Sequence, residues 1–484
     1  MKRRKALQQI GAGITAGLVM PSWLASCKKE EIGPEIKWDG KVAIIGAGVA
    51  GLYAADILHS KGLQVTVFEA SSQLGGRVRS LHNQSVDLYP NINKVGADYP
   101  VELGAELIYG TTSAWGKIAS DYRVPLVDLT TTTSSAFILD GTVTAEADLR
   151  SDNDYLAAIN FISAIPGATG DGSVASAVTA AGLSARAQAI VEAMVGNLYG
   201  TNNSKLSYQQ LGDALTLRSA ARDSKVYSLK ANIMQDLVIS RFSTIQDHVK
   251  LSTPIVAIDY SADQVTLTDK SGTTSIFDKV LVTIPLNIIK SGSVSFNPAL
   301  PASMQSSLNK LGMDACVRVV LDFNKNFWGD TFSFIWGDEW APQVFSAGIG
   351  RSQFDRTMNI TVCGERARQL SDMGEGMIDQ LLLQLDTVYA GQATKYLRYD
   401  LENPTQRIYV IQDWGKEEFI KGGWSYPTPG ATAQDRINIG QPLGKKLFFA
   451  GEATDINGEW GTISGALLSA ERATEEMIAA IKGV

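Results

Sequence analysis

Three glycines and one acid carry the first legible chemistry in the chain. Gly46, Gly48 and Gly51 stand in G-x-G-x-x-G spacing, and Glu69 comes eighteen residues after Gly51. That set suits a dinucleotide. Gly46 allows a tight turn, Gly48 lets backbone N–H groups approach a pyrophosphate, and Gly51 lets a helix pack closely on a strand. Val49 and Ala50 lead on into that helix, whose N-terminus turns its partial positive charge toward the phosphates. Glu69 can accept hydrogen bonds from a ribose diol.

The flanking sequence supplies the elements that must hold these residues. Val42–Ile45 is a short apolar run, as expected for a strand buried on both faces. Val49, Leu52, Tyr53, Ile57 and Leu58 recur at helical intervals. Val65–Phe68 is a second apolar run that ends at Glu69. A G-x-G-x-x-G alone is a Gly-rich turn. A strand before it, a helix after it and an acid at the right distance favour the dinucleotide.

A second glycine turn narrows the ligand. Leu74-Gly75-Gly76-Arg77-Val78-Arg79-Ser80 comes directly after the second strand. This run resembles the second fingerprint of the flavin-containing amine oxidases, the family of monoamine, polyamine and L-amino acid oxidases. The resemblance implies an α/β chain in which a Rossmann-like FAD-binding domain is interleaved with an α+β substrate domain. It places Gly76 and Arg77 on the FAD pyrophosphate. Tyr99-Pro100-Val101-Glu102-Leu103-Gly104-Ala105-Glu106 resembles the segment that passes beside the isoalloxazine ring, with Gly104 and Ala105 small enough for backbone to approach it. Glu106 has two readings, facing a cationic substrate or capping local structure. By the same resemblance Val256 gives main-chain hydrogen bonds to the adenine.

The C-terminal run Leu447–Thr454 reads as a buried strand ending in Gly451-Glu452, and Gly461–Ala466 opens a helix reaching about Ile481. In the family an acid at the place of Glu452 binds the ribityl or pyrophosphate part of FAD. The helix N-terminus at Thr462 and Ile463 points at flavin N1–C2=O. Three departures from the family pattern bear on chemistry. Many members carry a Lys ten positions before the Trp of a Phe-Trp pair, here Phe327-Trp328. Position 318 is instead Arg, which keeps its proton at any useful pH. Arg318 could act as a fixed cation beside the flavin. Strand alternation puts it with Cys316 and Val320, and Val317 and Val319 on the other face. Second, Gly423 stands where the monoamine oxidases have the Cys that bonds to flavin, so FAD is expected to be non-covalent. Third, Trp424 keeps one aromatic position of the substrate cage, but Thr462 stands at the other; Trp460 is a possible substitute.

The activity that the resemblance implies is hydride transfer from the carbon next to a neutral amine to flavin N5. Imine hydrolysis and reoxidation by O2 to hydrogen peroxide would complete the cycle. The partner is a small-molecule amine, and Arg318, Trp424, Thr462 and Glu106 are the candidate catalytic positions. Two alternatives keep the cofactor motifs. One is a desaturase or isomerase acting on a lipid-like substrate; the other is a surface lipoprotein that retains FAD without turnover.

Composition agrees with a soluble globular chain of two domains: 484 residues, 45% hydrophobic and 19% charged. The net charge of −7 argues against a nucleic-acid partner. His59, His82 and His248 form no ligand-like cluster, and there is no C-x-x-C, so no metal is expected. Cys316 and Cys363 lie in apolar surroundings and read as buried free thiols, though an exported protein permits a disulfide. At the N-terminus, Lys2-Arg3-Arg4-Lys5 precedes a short apolar core at Ile10–Met20. Leu24-Ala25-Ser26-Cys27 resembles a bacterial lipobox, which would make Cys27 the lipid-bearing residue of an exported, membrane-anchored protein. Arg3-Arg4 hints at twin-arginine export, though the phenylalanine usual after the pair is missing. The expected division is 1–27 signal, 28–40 tether, and FAD-binding parts at 41–110, 231–290 and 441–484. The substrate parts are 111–230, mostly helical, and 291–440.

Overall fold

The computed structural model describes residues 35–81, 101–230, 233–350, 356–400 and 403–483. The expected signal and Cys27 lie outside the described residues, as do His82, Tyr99 and Pro100.

The G-x-G-x-x-G stretch folds as strand β1 (Lys41–Ile45), helix α1 (Val49–Ser60) and strand β2 (Gln64–Phe68). β1 and β2 pair in parallel, Lys41 beside Gln64 through Ile45 beside Phe68. They lie inside a five-stranded sheet ordered Val249–Lys250, β2, β1, Lys279–Val282, Leu447–Phe449, with every pairing parallel. Its strands come from three well separated stretches of chain. One face packs against α1 and the C-terminal helix in a core that includes Val42, Ile44, Leu52, Leu58 and Leu467. The other face, with Ala43, Ile45, Val280 and Val282, packs on a four-stranded sheet that contains β3 (Ile255–Asp259). Burial on both faces is why these strands read as continuous apolar runs. The strand leading to Pro285 is shorter than its apolar run: it ends at Val282, and Pro285 precedes a short helix, Leu286–Lys290. Proline fixes φ and has no N–H to give a ladder, but it suits a helix start.

A second sheet has seven strands and takes its chain from different stretches. Its order is Tyr409–Asp413, β4 (Cys316–Asp322), β5 (Thr357–Cys363), Gln343–Ser346, Phe332–Trp336, Ser134–Leu139, Thr142–Ala145. Val317, Val319 and Leu321 of β4 pack with Leu370, Leu381 and Leu385 of the helices on one side. Cys316, Arg318 and Val320 therefore face the other side. The 111–230 stretch is helical in large part, but it also contributes the last two strands of this sheet. Within it, the helix Ala185–Val191 widens into a π-helical turn, Glu192–Asn197. Helix α2 (Ile463–Lys482) closes the chain and lies against α1, where Tyr53 Oη donates to Glu471 Oε1 at 2.8 Å.

Gly51 shows how tightly the first turn is built: a Cβ there would stand 1.9 Å from the Gly46 carbonyl oxygen. Gly51→Ala is expected to destabilise the chain by at least about 1–3 kcal/mol, since backbone must move to admit the methyl. Gly376→Ala serves as the contrast, because its nearest neighbour would be Met373 Cβ at 3.9 Å. That change should stabilise by about 0.4–1 kcal/mol through the unfolded state. Denaturant midpoints of the two variants, moving in opposite directions, check this pair.

Candidate active site

One cavity of about 1090 Å³ runs between the two sheets. Its near end is the βαβ turn. Gly46, Gly48, Val49, Ala50, Glu69, Gly75, Gly76 and Arg77 all line it, while Gly51 lies behind, between helix and strand. A Cβ on Gly48 would meet only Gly76 Cα, at 4.0 Å, and would otherwise stand in the open space between the two turns. Gly75 N–H donates to the Ala47 carbonyl at 2.9 Å, which fixes the second turn against the first. Glu69 accepts from Ala47 N at 2.6 Å and from Ser71 N and Oγ at 2.8 and 2.7 Å. Its carboxylate is thus held rigid at the rim.

Val256 sits at the β-bulge of β3, between the residues that pair with Asp269 and Thr268. The extra residue of a bulge leaves the ladder. Pro254, Ile255 and Val256 line the cavity.

Glu452 ties the far walls together. Its Oε1 accepts from Arg77 Nη1 at 2.8 Å and Ser425 N at 3.1 Å, and its Oε2 from Ser425 Oγ and Gly461 N, both at 2.7 Å. The family resemblance assigns Glu452 to the ribityl or pyrophosphate group; in the structure it lines the cavity, and its carboxylate accepts four bonds from protein donors that brace the wall. Burial alone would raise its carboxyl pKa, but Arg77, Arg436 and these bonds outweigh it and hold it below the ordinary 4.5. Arg436, fully enclosed, is itself pulled down by burial to about 10 and stays charged at neutral pH. Arg77 Nη1 is shared between Glu452 and the Gly423 carbonyl at 2.9 Å.

Gly104 also has a different reason from the expected one. Its absent Cβ would fall 1.9 Å from the Arg77 carbonyl oxygen, and Ala105 N–H donates to that same oxygen at 3.1 Å. The small pair is required by packing of backbone on backbone, although both residues also line the cavity.

Arg318 faces the cavity, as strand alternation allows, but it is not a lone cation. Its Nη1 lies 3.2 Å from Glu106 Oε2 and donates to the Glu102 carbonyl at 3.1 Å, with both side chains at a tenth exposed or less. Asn359 Nδ2 donates to the other Glu106 oxygen. Glu106 is thus the counter-charge of Arg318, which is neither of its two sequence readings. The register places Gln412, Arg318, Thr361 and Gln343 side by side across four strands as one polar row. Arg318, Thr361 and Gln343 line the cavity.

Trp424 is wedged between Gly200 and Gly461; a Cβ on either would come within 2.7 Å of its ring. Thr462 does not replace an aromatic. Its hydroxyl accepts from Gly465 N at 3.0 Å and donates to the Glu459 carbonyl at 2.7 Å, so it is the N-cap of α2. The second aromatic wall comes from Trp460 and Tyr199, with ring centroids 5.6 Å apart. Arg218 and Arg436 lie over Trp460 at 5.2 and 5.0 Å. Arg218 also donates to the Gly458 and Trp460 carbonyls, at 2.5 and 2.9 Å. Tyr109, Tyr199, Arg218, Thr361 and Gln343 are not among the expected site residues. Only tertiary packing brings them to the cavity, and no local motif marks them. Cys316 and Cys363 are free and buried.

Comparison with known proteins gives one consistent result. Residues 188–478 match the model of the family described as flavin containing amine oxidoreductase, and residues 44–120 that of an NAD(P)-binding Rossmann-like domain. The chain is 25% identical over 490 residues to the mouse (Mus musculus) lysine-specific histone demethylase 1B, covering 96% of this chain and 56% of that protein. It is 22% identical over 465 residues to polyamine oxidase 2 of Arabidopsis thaliana, covering 90% of this chain and 87% of the relative. The chain thus spans 56% of the length of that histone demethylase. Among solved structures, putrescine oxidase bound to putrescine aligns with a TM-score of 0.74 at 18% identity, over 91% of this chain and 99% of that one. Cyclohexylamine oxidase from Brevibacterium oxydans aligns with 0.73 at 18%, over 92% and 99%. At that identity the structural likeness speaks for the fold.

The buried charges make two expectations testable. Arg318→Met leaves Glu106 without its cation and should cost about 3–5 kcal/mol of stability. Adding Glu106→Gln to the same chain should recover most of that loss, and a double-mutant cycle of unfolding free energies measures the coupling. A double variant whose loss equals the sum of the two single losses would mean that the two charges are not coupled. For Glu452 the folded pKa is depressed, so its contribution is complete above about 4.5 and is lost as pH falls through the lower, folded value. Glu452→Gln should lower stability at neutral pH and flatten the acid limb of a stability–pH curve.

Proposed function

Because the chain belongs to the flavin containing amine oxidoreductase family, we propose that this protein oxidises the C–N bond of a small-molecule amine. The observation that supports this best is the convergence of three segments, Gly46–Glu69, Gly75–Arg77 and the remote Gly451–Ile463, on one cavity that the polar sheet face closes. The cavity fits FAD: glycines without Cβ atoms make room between two turns, and helix N-termini end at the same wall. FAD is the cofactor, and when bound it accepts the hydride given up by a carbon next to an amine nitrogen.

The residues of this chain would hold that cofactor and shape the space beside it. Gly48, Val49 and Ala50 offer backbone to the phosphates, Glu69 the ribose, and Val256 the adenine. Thr462 and Ile463 turn the positive end of α2 toward the cavity, which favours negative charge there. Trp424, Trp460 and Tyr199 give aromatic surface that orients an amine and excludes water. Glu106 and Arg318 cancel each other's charge, so the pocket suits a neutral amine, and no side chain need remove a proton from it. Relatives that act on putrescine, polyamines and cyclohexylamine support an alkyl amine as substrate. O2 would be the acceptor that restores the enzyme, yielding hydrogen peroxide. With Gly423 in place of a nucleophile, FAD would be held non-covalently. The first 27 residues would direct export, with Cys27 carrying a lipid anchor. Among the described residues no helix is long and apolar enough to cross a membrane.

Protein expressed without residues 1–27 should purify yellow and release its FAD on acid precipitation. Mixed without oxygen against diamines, alicyclic and aromatic monoamines, amino acids and an N-methyl-lysine peptide, it should lose its flavin absorbance with at least one of them. Absorbance unchanged by the whole panel would overturn the amine reading, and flavin left in the pellet would overturn non-covalent binding. In the full chain, Cys27→Ser should release the protein from membranes; a variant that still sediments with them would remove the lipid-anchor reading.

A further inference from the structure

Cys316 of β4 and Cys363 of β5 are directly opposite in an antiparallel pair. The ladder bonds avoid them: Gly364 N–H donates to the Ala315 carbonyl at 2.9 Å, and Cys363 N–H donates to Asn197 Oδ1 at 2.8 Å. The two cysteines therefore form a non-hydrogen-bonded pair, the closer antiparallel spacing, with Cα atoms about 4.5 Å apart. A disulfide spans Cα separations of roughly 4.4–6.8 Å, so this register can close one without moving backbone. Both thiols are free and buried.

They differ in access. Cys316 lines the cavity, with its Sγ 3.7 Å from where a Gly423 Cβ would be. Cys363 lies behind it among apolar neighbours, and burial pushes its thiol up. Arg318, one step along the same face of β4, is a cation that works the other way and favours a thiolate. None of the roles assigned to the site uses either sulfur.

We infer that Cys316 and Cys363 are a paired-thiol oxidation site, converted to a disulfide by a hydroperoxide that enters the cavity. The Cys316 sulfur attacks a peroxide oxygen and the O–O bond breaks. Cys316 becomes a sulfenic acid, and the departing hydroxide takes the thiol proton and leaves as water. The Cys363 sulfur then displaces the sulfenic hydroxyl, which leaves as a second water with the Cys363 proton, and the S–S bond forms. In sum, two thiols and one hydrogen peroxide give one disulfide and two waters: the sulfurs are oxidised and the peroxide is reduced. The inference requires only that peroxide be present, and it stands apart from the amine reading.

The test uses the full-length, FAD-loaded protein. It is exposed to hydrogen peroxide, quenched in acid, unfolded, alkylated and digested for mass spectrometry. The expected result is joint loss of alkylatable Cys316 and Cys363, with a peptide linking them that dithiothreitol dissolves. Cys363→Ser should leave Cys316 as a sulfenic acid that dimedone captures, and Cys316→Ser should leave Cys363 alkylatable. Both cysteines of the unsubstituted protein staying alkylatable would overturn the inference. So would conversion of either to sulfonic acid with no linked peptide.

Discussion

The buried carboxylate of Glu452 is the point on which the site depends. Taking an anion out of water costs several kcal/mol unless charges and donors replace the solvent. Here they do: Arg77 from the first βαβ turn, Ser425 from the second sheet's connection and Gly461 from the start of α2 all converge on it. Arg436, also buried, adds a second cation and is anchored by Ser425 Oγ at 3.0 Å and the Ala453 carbonyl at 2.8 Å. The first βαβ turn, through Arg77, is thereby fixed to the C-terminal part of the chain, 425–461, around one wall of the cavity.

A second buried pair sets the chemistry on the opposite wall. Arg318 and Glu106 come from remote parts of the chain and meet inside the cavity, with Asn359 and the Glu102 carbonyl completing the contacts. Between Cys316 and Leu321 the strand that carries Arg318 is otherwise apolar, and alternation is what separates its two duties. One face seals the core with valines, while the other offers cysteine, arginine and a neighbouring threonine to the cavity. A cation balanced by a nearby anion orients ligands by its donors more than by its net charge.

The aromatic wall is positioned by the π-helical turn. Widening the helix at Glu192–Asn197 carries Tyr199 toward Trp460 and turns the Asn197 side chain onto β5. There Asn197 Nδ2 donates to the Thr361 carbonyl at 3.0 Å and its Oδ1 accepts from Cys363 N–H, as the peptide of an additional strand would. Irregular helix geometry of this kind recurs at functional sites because it redirects side chains without breaking the helix.

The sequence alone determined the cofactor end of the molecule. Gly46, Gly48, Gly51 and Glu69 lie within one βαβ unit, so local spacing encodes their geometry, and apolar runs encode the strands that hold them. The Gly75-Gly76-Arg77 turn and the Gly451–Ile463 segment were legible through their resemblance to the family, and alternation along β4 put Arg318 on one face. What only the tertiary structure decided was which groups face one another. Glu106 became the partner of Arg318, Thr462 a helix cap, Glu452 a brace, and Gly104 a site of backbone contact. Tyr199, Thr361 and Gln343 reached the cavity from elements whose order in space is not periodic in sequence, while Trp460 was already the sequence's substitute for the missing cage aromatic. Charge pairing, capping and packing across sheets depend on distances between remote residues, and no spacing along a chain carries that information.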